Sequence, residues 1–454
     1  MSDIADRDKP RKQVHLAAHF PGVNNTTVWS DPAAGSQTDF RSFVHLAQTA
    51  ERGKFDFFFL AEGLRLREHR GQIFDLDVVG RPDSFTVLAA LAAVTDHIGL
   101  AATLNTTFNE PYELARQFAS LDHLSGGRAA WNAVTSPDAF TGANFRRGGF
   151  LERSLRYDRA GEFITAARAL WDSWDDDAVV ADVDRGVFVA DESIRTFDHG
   201  GDEFRIGGEF NVPRSPQGYP VQIQAGDSDG GRELAAEQAD VIFSRHSGYD
   251  DGRRFYTDVK RRLATYGRAD DDLKIIPAAV VFLGDDREDA EEKARHIRRQ
   301  QVSPQGAIAF LEQVWGRDLS AYDPDGPLPD VDPDFEGGAA ITQGRVRHDD
   351  SQTVADKWRR IADEKRLSIR ELIIEVTTRS TFVGSPKEVA AKIDQYVQDD
   401  AADGYILVPH ITPHGLDEFV DRVVPELQDR GVFRTDYEGP TLRDHLLLSR
   451  PSAR

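Results

Sequence analysis

The chain has no cysteine and a single methionine in 454 residues. Without thiols there can be no disulfide, thiolate nucleophile, Cys-ligated zinc or iron–sulfur cluster. No stretch reaches the 18 or so consecutive apolar residues that a membrane-spanning helix needs. The opening MSDIADRDKPRK has no apolar segment behind its charges, so no secretory or transit signal is readable, and a cytoplasmic protein that binds no membrane is expected. A basic surplus is missing too. The formal charge of −22 excludes a nucleic-acid partner on electrostatic grounds, and any anionic ligand must be held by a local site. GxGxxG, Walker and GxSxG sequences are absent from any strand-to-helix context, which removes the Rossmann site, the P-loop and the hydrolase elbow.

What the chain does contain is repetition. Short β-rich runs alternate with amphipathic helical stretches, the pattern of βα units on a parallel sheet. Strands are expected at 14–20, 55–62, 98–105, 128–136, 220–226, 240–246, 275–283 and 404–410. Several are apolar nearly throughout, as strands buried on both faces are. Helix signals lie between them. Asp39 can cap DFRSFVHLAQTAERG and Gly53 can end it, and Pro111 opens PYELARQFASLDHL. Eight such units make a single α/β domain over 1–454, a (β/α)₈ TIM barrel with insertions at about 175–219 and 300–380, after units 4 and 7, and a tail at about 432–454. Insertions of this length are lids, binding elements or surface elaboration.

In a parallel barrel the chemistry sits at the C-terminal ends of strands. That rule selects His19, Glu62, Thr103, Asn105, Asn132 to Ser136, Gln224 to Ser228, Arg245, His246, Pro409 and His410. In QAGDSDGGREL, a strand end runs through Asp227, Ser228, Gly230 and Gly231 into a helix, leaving donors where a phosphate could bind; plain helix capping is the other reading. Asp227 would repel a phosphate if turned inward. Arg153 and Tyr157 lie four apart, so a cation and a phenol share one helical face. His15 and His19 have no carboxylate at ligand spacing, and Pro413 separates His410 from His414, so no metal is expected.

Five ordered blocks carry a resemblance: ERGKFDFFFLAEG; AAVTDHIGLAATLNTTFNEPYELARQFASLDHLSGGRAAWNAVTS; RYDRAGEF with LWDSW; VPRSPQGYPVQIQAG; and FVDRVVPELQDRGVFRTDYEGPTLRDHL. In them the chain resembles the nitrilotriacetate monooxygenase component A branch of the bacterial luciferase-like flavin-dependent monooxygenases. The resemblance implies the oxygenase of a two-component system, cytoplasmic and a homodimer or homotetramer. A separate NAD(P)H-dependent flavin reductase would supply reduced FMN, which reacts with O₂ as co-substrate to form a flavin peroxide that oxidises a small organic molecule. By motif, Glu62, Thr103 and Ser136 would contact FMN, Tyr157 and Ser228 would meet its phosphate and Arg153 would stand beside them; from the strand-end set, His19, Asn132 and His246 are the catalytic candidates and Asp227 a further cofactor-binding one. Arg153 stands where many relatives have histidine, Glu62 where several have aspartate, and FPGVNNTTVWSDP lacks a histidine common there. A deazaflavin-dependent oxidoreductase of the same fold, or a non-catalytic flavin-binding protein, is the alternative.

Overall fold

The computed structural model describes residues 11–22, 27–66, 68–73, 80–136, 139–145, 155–244, 246, 248–334, 342–343, 351–379 and 381–452. Its main sheet is built from β1 (His15–His19), β2 (Phe57–Leu60), β3 (Gly99–Asn105), β4 (Ala129–Val134), β5 (Val221–Ala225), β6 (Val241–Phe243), β7 (Lys274–Ile275), β8 (Ala278–Ala279) and β9 (Gly404–Leu407). Every pairing is parallel, in the spatial order β7, β6, β5, β4, β3, β2, β1, β9, β8. The sheet therefore curls, and its two outermost segments are consecutive in the chain. They are the two halves of the expected strand 275–283, interrupted at Pro277, which has no N–H to donate to a ladder. Its final residues, Val281–Leu283, pair with Phe382–Gly384 in a separate small sheet.

Helices separate the strands: α1 (Phe40–Arg52), α2 (Ser84–Ala92), α3 (Pro111–Leu124), α4 (Ala139–Gly142), α5 (Arg156–Trp171), α6 (Asp229–Gln238) and α7 (Tyr249–Leu263). Asp39 accepts from Arg41 N to start α1 and Gly53 ends it. Alternate strand residues divide two cores. Leu16, Phe58, Leu100 and Trp131 join the helices outside the curl, whereas Ala17, Phe57, Phe59, Ala101, Ala130, Ile223 and Ile406 pack inside it. Leu442, Leu446 and Leu448 enter the inner cluster from the N-terminal edge, where Gly99 leaves room: a Cβ there would lie 2.6 Å from Leu442 Cδ1.

Residues 175–219 carry two antiparallel hairpins, Val179–Asp182 with Val187–Val189 and Phe197–Gly200 with Arg205–Gly208. The described residues of 300–380 are largely helical. Here α9 (Pro304–Trp315), α10 (Ser351–Lys365) and α11 (Ile369–Thr377), which follow α8 (Arg287–Gln301), share an apolar core centred on Leu311, Trp315, Trp358 and Leu372. The helix α12 (Pro386–Gln398) then leads to β9. No described helix is long and apolar enough to cross a membrane.

Candidate active site

Parallel strands deliver their C-terminal ends to one edge of the sheet, and the polar side chains gather there. Thr103 and Asn132 are register partners on β3 and β4, and Asn132 Nδ2 donates to Thr103 Oγ1 at 3.0 Å. The Asn132 Oδ1, buried, has no partner. His19 ends β1, 3% exposed and stacked on Phe59 at 5.2 Å, with Nδ1 unpartnered. Burial, reinforced by the Arg81 cation, lowers its pKa to about 3, so the ring is neutral at ordinary pH. Glu62, past β2, receives Asn105 Nδ2 at 3.1 and 3.3 Å. Burial raises its carboxyl to about 7, with Asp83 adding repulsion and Asn105 opposing the shift.

Further along the same edge, Gln224 Oε1 and His246 Nε2 are also buried without partners. Burial lowers the His246 pKa, and its Nδ1 lies 2.9 Å from Ser244 Oγ. Ser136, after β4, donates its N–H to Thr107 Oγ1 at 3.1 Å. Two of these orphaned atoms, His19 Nδ1 and Asn132 Oδ1, lie on the inner face of the curl and fit a ligand with donors and acceptors along its rim, as an isoalloxazine ring has; Gln224 follows Ile223 onto the outer face, and His246 packs on Phe255 of α7 at 4.8 Å.

Ser228 caps α6, accepting from Gly231 N at 3.3 Å, and its Oγ lies 2.8 Å from Tyr157 OH. A Cβ at Gly230 would sit 3.0 Å from the Tyr157 ring and one at Gly231 3.1 Å from its hydroxyl, so the two glycines let the phenol lie against the helix start. Asp227 uses its carbonyl to accept from Arg232 Nε at 3.0 Å. Arg153 lies outside the described residues. Among the described residues the guanidinium that reaches the phenol is Arg156, which donates to Tyr157 OH at 3.0 Å and lies over its ring at 4.6 Å. Helical spacing could not single it out, because neighbours one apart do not normally face each other.

Two other features were not evident from sequence. Arg81, between β2 and α2, donates to Phe20 O, Pro21 O and, at 3.1 Å, Gln37 Oε1. His45, His414 and Asp417 bring potential ligand atoms within 4.8 Å of one another, although each imidazole already pairs with the Asp417 carboxylate at 2.9–3.0 Å and Thr49 donates to it. His414 takes its carboxylate from Asp417, three residues on, and the second imidazole, His45, comes from α1.

The luciferase-like monooxygenase family model matches residues 23–404. Nitrilotriacetate monooxygenase component A of Aminobacter aminovorans is 41% identical over 437 residues, covering 93% of each chain. N-acetyl-S-(2-succino)cysteine monooxygenase of Bacillus subtilis (strain 168) is 39% identical, covering 97% of this chain and 98% of that one. A crystal structure of riboflavin lyase with modified FMN and riboflavin superposes with a TM-score of 0.76 at 29% identity, covering 96% of both chains. The chain belongs to the luciferase-like monooxygenase family.

Proposed function

We propose that this chain is the oxygenase of a two-component flavin monooxygenase, cytoplasmic, taking reduced FMN from a separate reductase. The observation that carries the cofactor assignment is the convergence of Arg156, Tyr157 and Ser228 at the α6 N-terminus, beside the strand ends with orphaned polar atoms. Bound reduced flavin supplies the two electrons with which O₂ is divided between substrate and water. The chain's own groups hold and shield it. Backbone N–H groups and the dipole of α6, with the Tyr157 and Ser228 hydroxyls and the Arg156 cation, hold the phosphate. Asn132, Thr103, Glu62 and Ser136 contact the ring, and the neutral His19 and His246 offer uncharged hydrogen-bonding groups to the substrate. Phe59 and Phe243, 5.9 Å apart, form an apolar wall that excludes water.

In the same reading the sheet closes as a (β/α)₈ barrel within one domain over 1–454, with 175–219 and 300–380 as insertions. The consecutive outermost segments β7 and β8 support that closure. Arg153 is retained as a phosphate contact on the resemblance alone.

The test is a paired titration with FMN and riboflavin. Arg156→Ala removes a charge-assisted contact of roughly 1.5–3 kcal/mol, so FMN weakens by about one to two orders of magnitude while riboflavin, without the phosphate, is held as before. Equal weakening of both flavins sinks the phosphate assignment. With a flavin reductase and NADH, oxygen from ¹⁸O₂ then appears in the product.

A further inference from the structure

Among the described residues Arg81 is a cation without a counter-ion. Its guanidinium meets two backbone carbonyls and one side-chain amide, all neutral, and no carboxylate pairs with it among the described residues. Asp83, two positions away, is turned to the start of α2, where it accepts from Thr86 N and Oγ1. Acids outnumber bases by 77 to 55, and several buried arginines take one as a partner, although Arg168, with an unpartnered Nε and the Gln238 carbonyl as its acceptor, does not. Arg159 pairs with Glu203 at 2.7 Å, Arg434 with Asp56 at 2.7 Å and Arg443 with Asp240 at 2.9 Å. Arg128 has no such acid, but all three of its guanidinium nitrogens donate, to four carbonyls and the Thr95 hydroxyl.

Arg81 differs from Arg128 in that its Nε is buried with no partner. Removal from water costs a cation free energy that neutral acceptors offset only in part, and here that cost lowers the guanidinium pKa to about 10. Its position is telling. Arg81 grips the carbonyls that directly follow His19, close enough for its charge to act on the imidazole, whose Nδ1 is also unpartnered. A neutral imidazole cannot compete for an anion but can hydrogen-bond to one.

We propose that Arg81, with His19 beside it, binds an anionic oxygen group of the substrate, a carboxylate or a sulfonate, and so selects acids over their neutral counterparts. The proposal rests on the flavin-monooxygenase reading for the meaning of the site, and places the anion across the strand ends from the phosphate groups at α6. Nη2 already donates to Pro21 O and Gln37 Oε1 and Nη1 to Phe20 O, so the donors left to the anion are the Nε–H and one Nη1–H, and the contact is charge-assisted without being a two-pronged fork.

The test uses FMN-loaded protein and isothermal titration with thiodiacetate, sulfoacetate and dimethyl thiodiacetate. The unmutated protein should bind one or both acids at least ten-fold more tightly than the diester. Arg81→Gln should weaken the acids 10- to 100-fold and leave the diester unchanged, with Arg81→Lys between them. Equal weakening of acid and diester, no binding of either acid, or a loss confined to FMN relative to riboflavin overturns the proposal; in the last case the cation serves the cofactor. Should Arg81→Gln fold poorly, the acid-to-diester ratio in Arg81→Lys decides. If neither flavin binds the unmutated protein, the flavin reading fails by itself, and the same titration on flavin-free protein still decides whether Arg81 selects anions.

Discussion

At the scale of single residues, burial rather than sequence identity sets the chemistry at the strand ends. Glu62 shows this. Its carboxyl is raised from the ordinary range to about 7 by burial, so between the unfolded value of about 4.3 and 7 the native state binds more protons than the unfolded chain. Stability therefore falls as pH rises through that window, then levels off above 7. Glu62→Gln should flatten the melting temperature between pH 5 and 7, and the variant should gain on the parent toward the upper end. A parallel pH dependence in the variant would place the effect elsewhere. The strand-end rule read His19, Glu62, Thr103 and Asn132 directly from sequence, because a parallel strand fixes where its last residue goes. Arg81 and Arg156 were not legible. One is a loop arginine whose importance depends on the Phe20 and Pro21 carbonyls, brought to it by folding, and the other contacts a neighbour that helical periodicity does not predict.

At the scale of elements, apolar runs and caps made the strands and the first helices readable, but the 300–380 segment was not. Its Pro-, Gly- and Asp-rich stretch reads as loop and hides that the helices on either side bury one another. A buried carboxylate joins that helical unit to the rest, beside an Arg70–Asp318 ion pair and the antiparallel pairing of Thr342 and Gln343 with His69 and Glu68. Glu312 on α9 is 1% exposed and meets His69 Nε2 at 2.7 Å, Arg70, and Leu319 N at 2.7 Å. His69 and Arg70 belong to the 68–73 hairpin that follows Glu62 in the chain. Burial alone would raise the Glu312 pKa, but these partners hold it below its usual value. Removing one member of a buried ion pair strands the other, at a cost of about 3–5 kcal/mol when fully buried and less for the partly exposed Arg70. Glu312→Gln should accelerate amide exchange in 68–73 and around 304–319 while strands β3 and β4 keep their protection. Uniform acceleration would mean that the carboxylate supports the whole fold and not this junction.

At the scale of the molecule, the edge opposite the site is an electrostatic girdle. Asp56, Asp240 and Asp403 each stand immediately before a strand and accept a backbone N–H from another strand, Leu16, Gln222 and Ile275, all at 2.8 Å. Each also meets a cation, Arg434 at 2.7 Å, Arg443 at 2.9 Å and Lys260 at 3.3 Å, and two of these come from the tail. Burial opposes ionisation of all three, and the cations overcome it: Asp56 falls to about 2, and Asp240 and Asp403 also shift down. Their stabilisation is present above about pH 4 and disappears as pH falls through the native values; Asp56 alone contributes about 2 kcal/mol. Arg434→Gln should lower the denaturant midpoint at pH 7 and move acid unfolding to higher pH. An unchanged acid transition would remove Asp56 from that account.

The pairing of β1 with β9 also bears on how the chain assembles. His15 and Gly404 are partners, and a Cβ at Gly404 would lie 1.8 Å from the His15 carbonyl oxygen, so this contact tolerates no bulk. It joins positions nearly four hundred residues apart, whereas β1 and β2 meet across about forty. Loop-closure entropy makes the longer contact costlier by about 2 kcal/mol if nothing between has ordered. The successive units from β1 to β6 therefore have reason to form first, with the β1–β9 seam closing late. Pulse-labelling during refolding should protect Leu100 to Thr103 before Tyr405 to Leu407; protection of both in one step would show that the seam belongs to the folding nucleus.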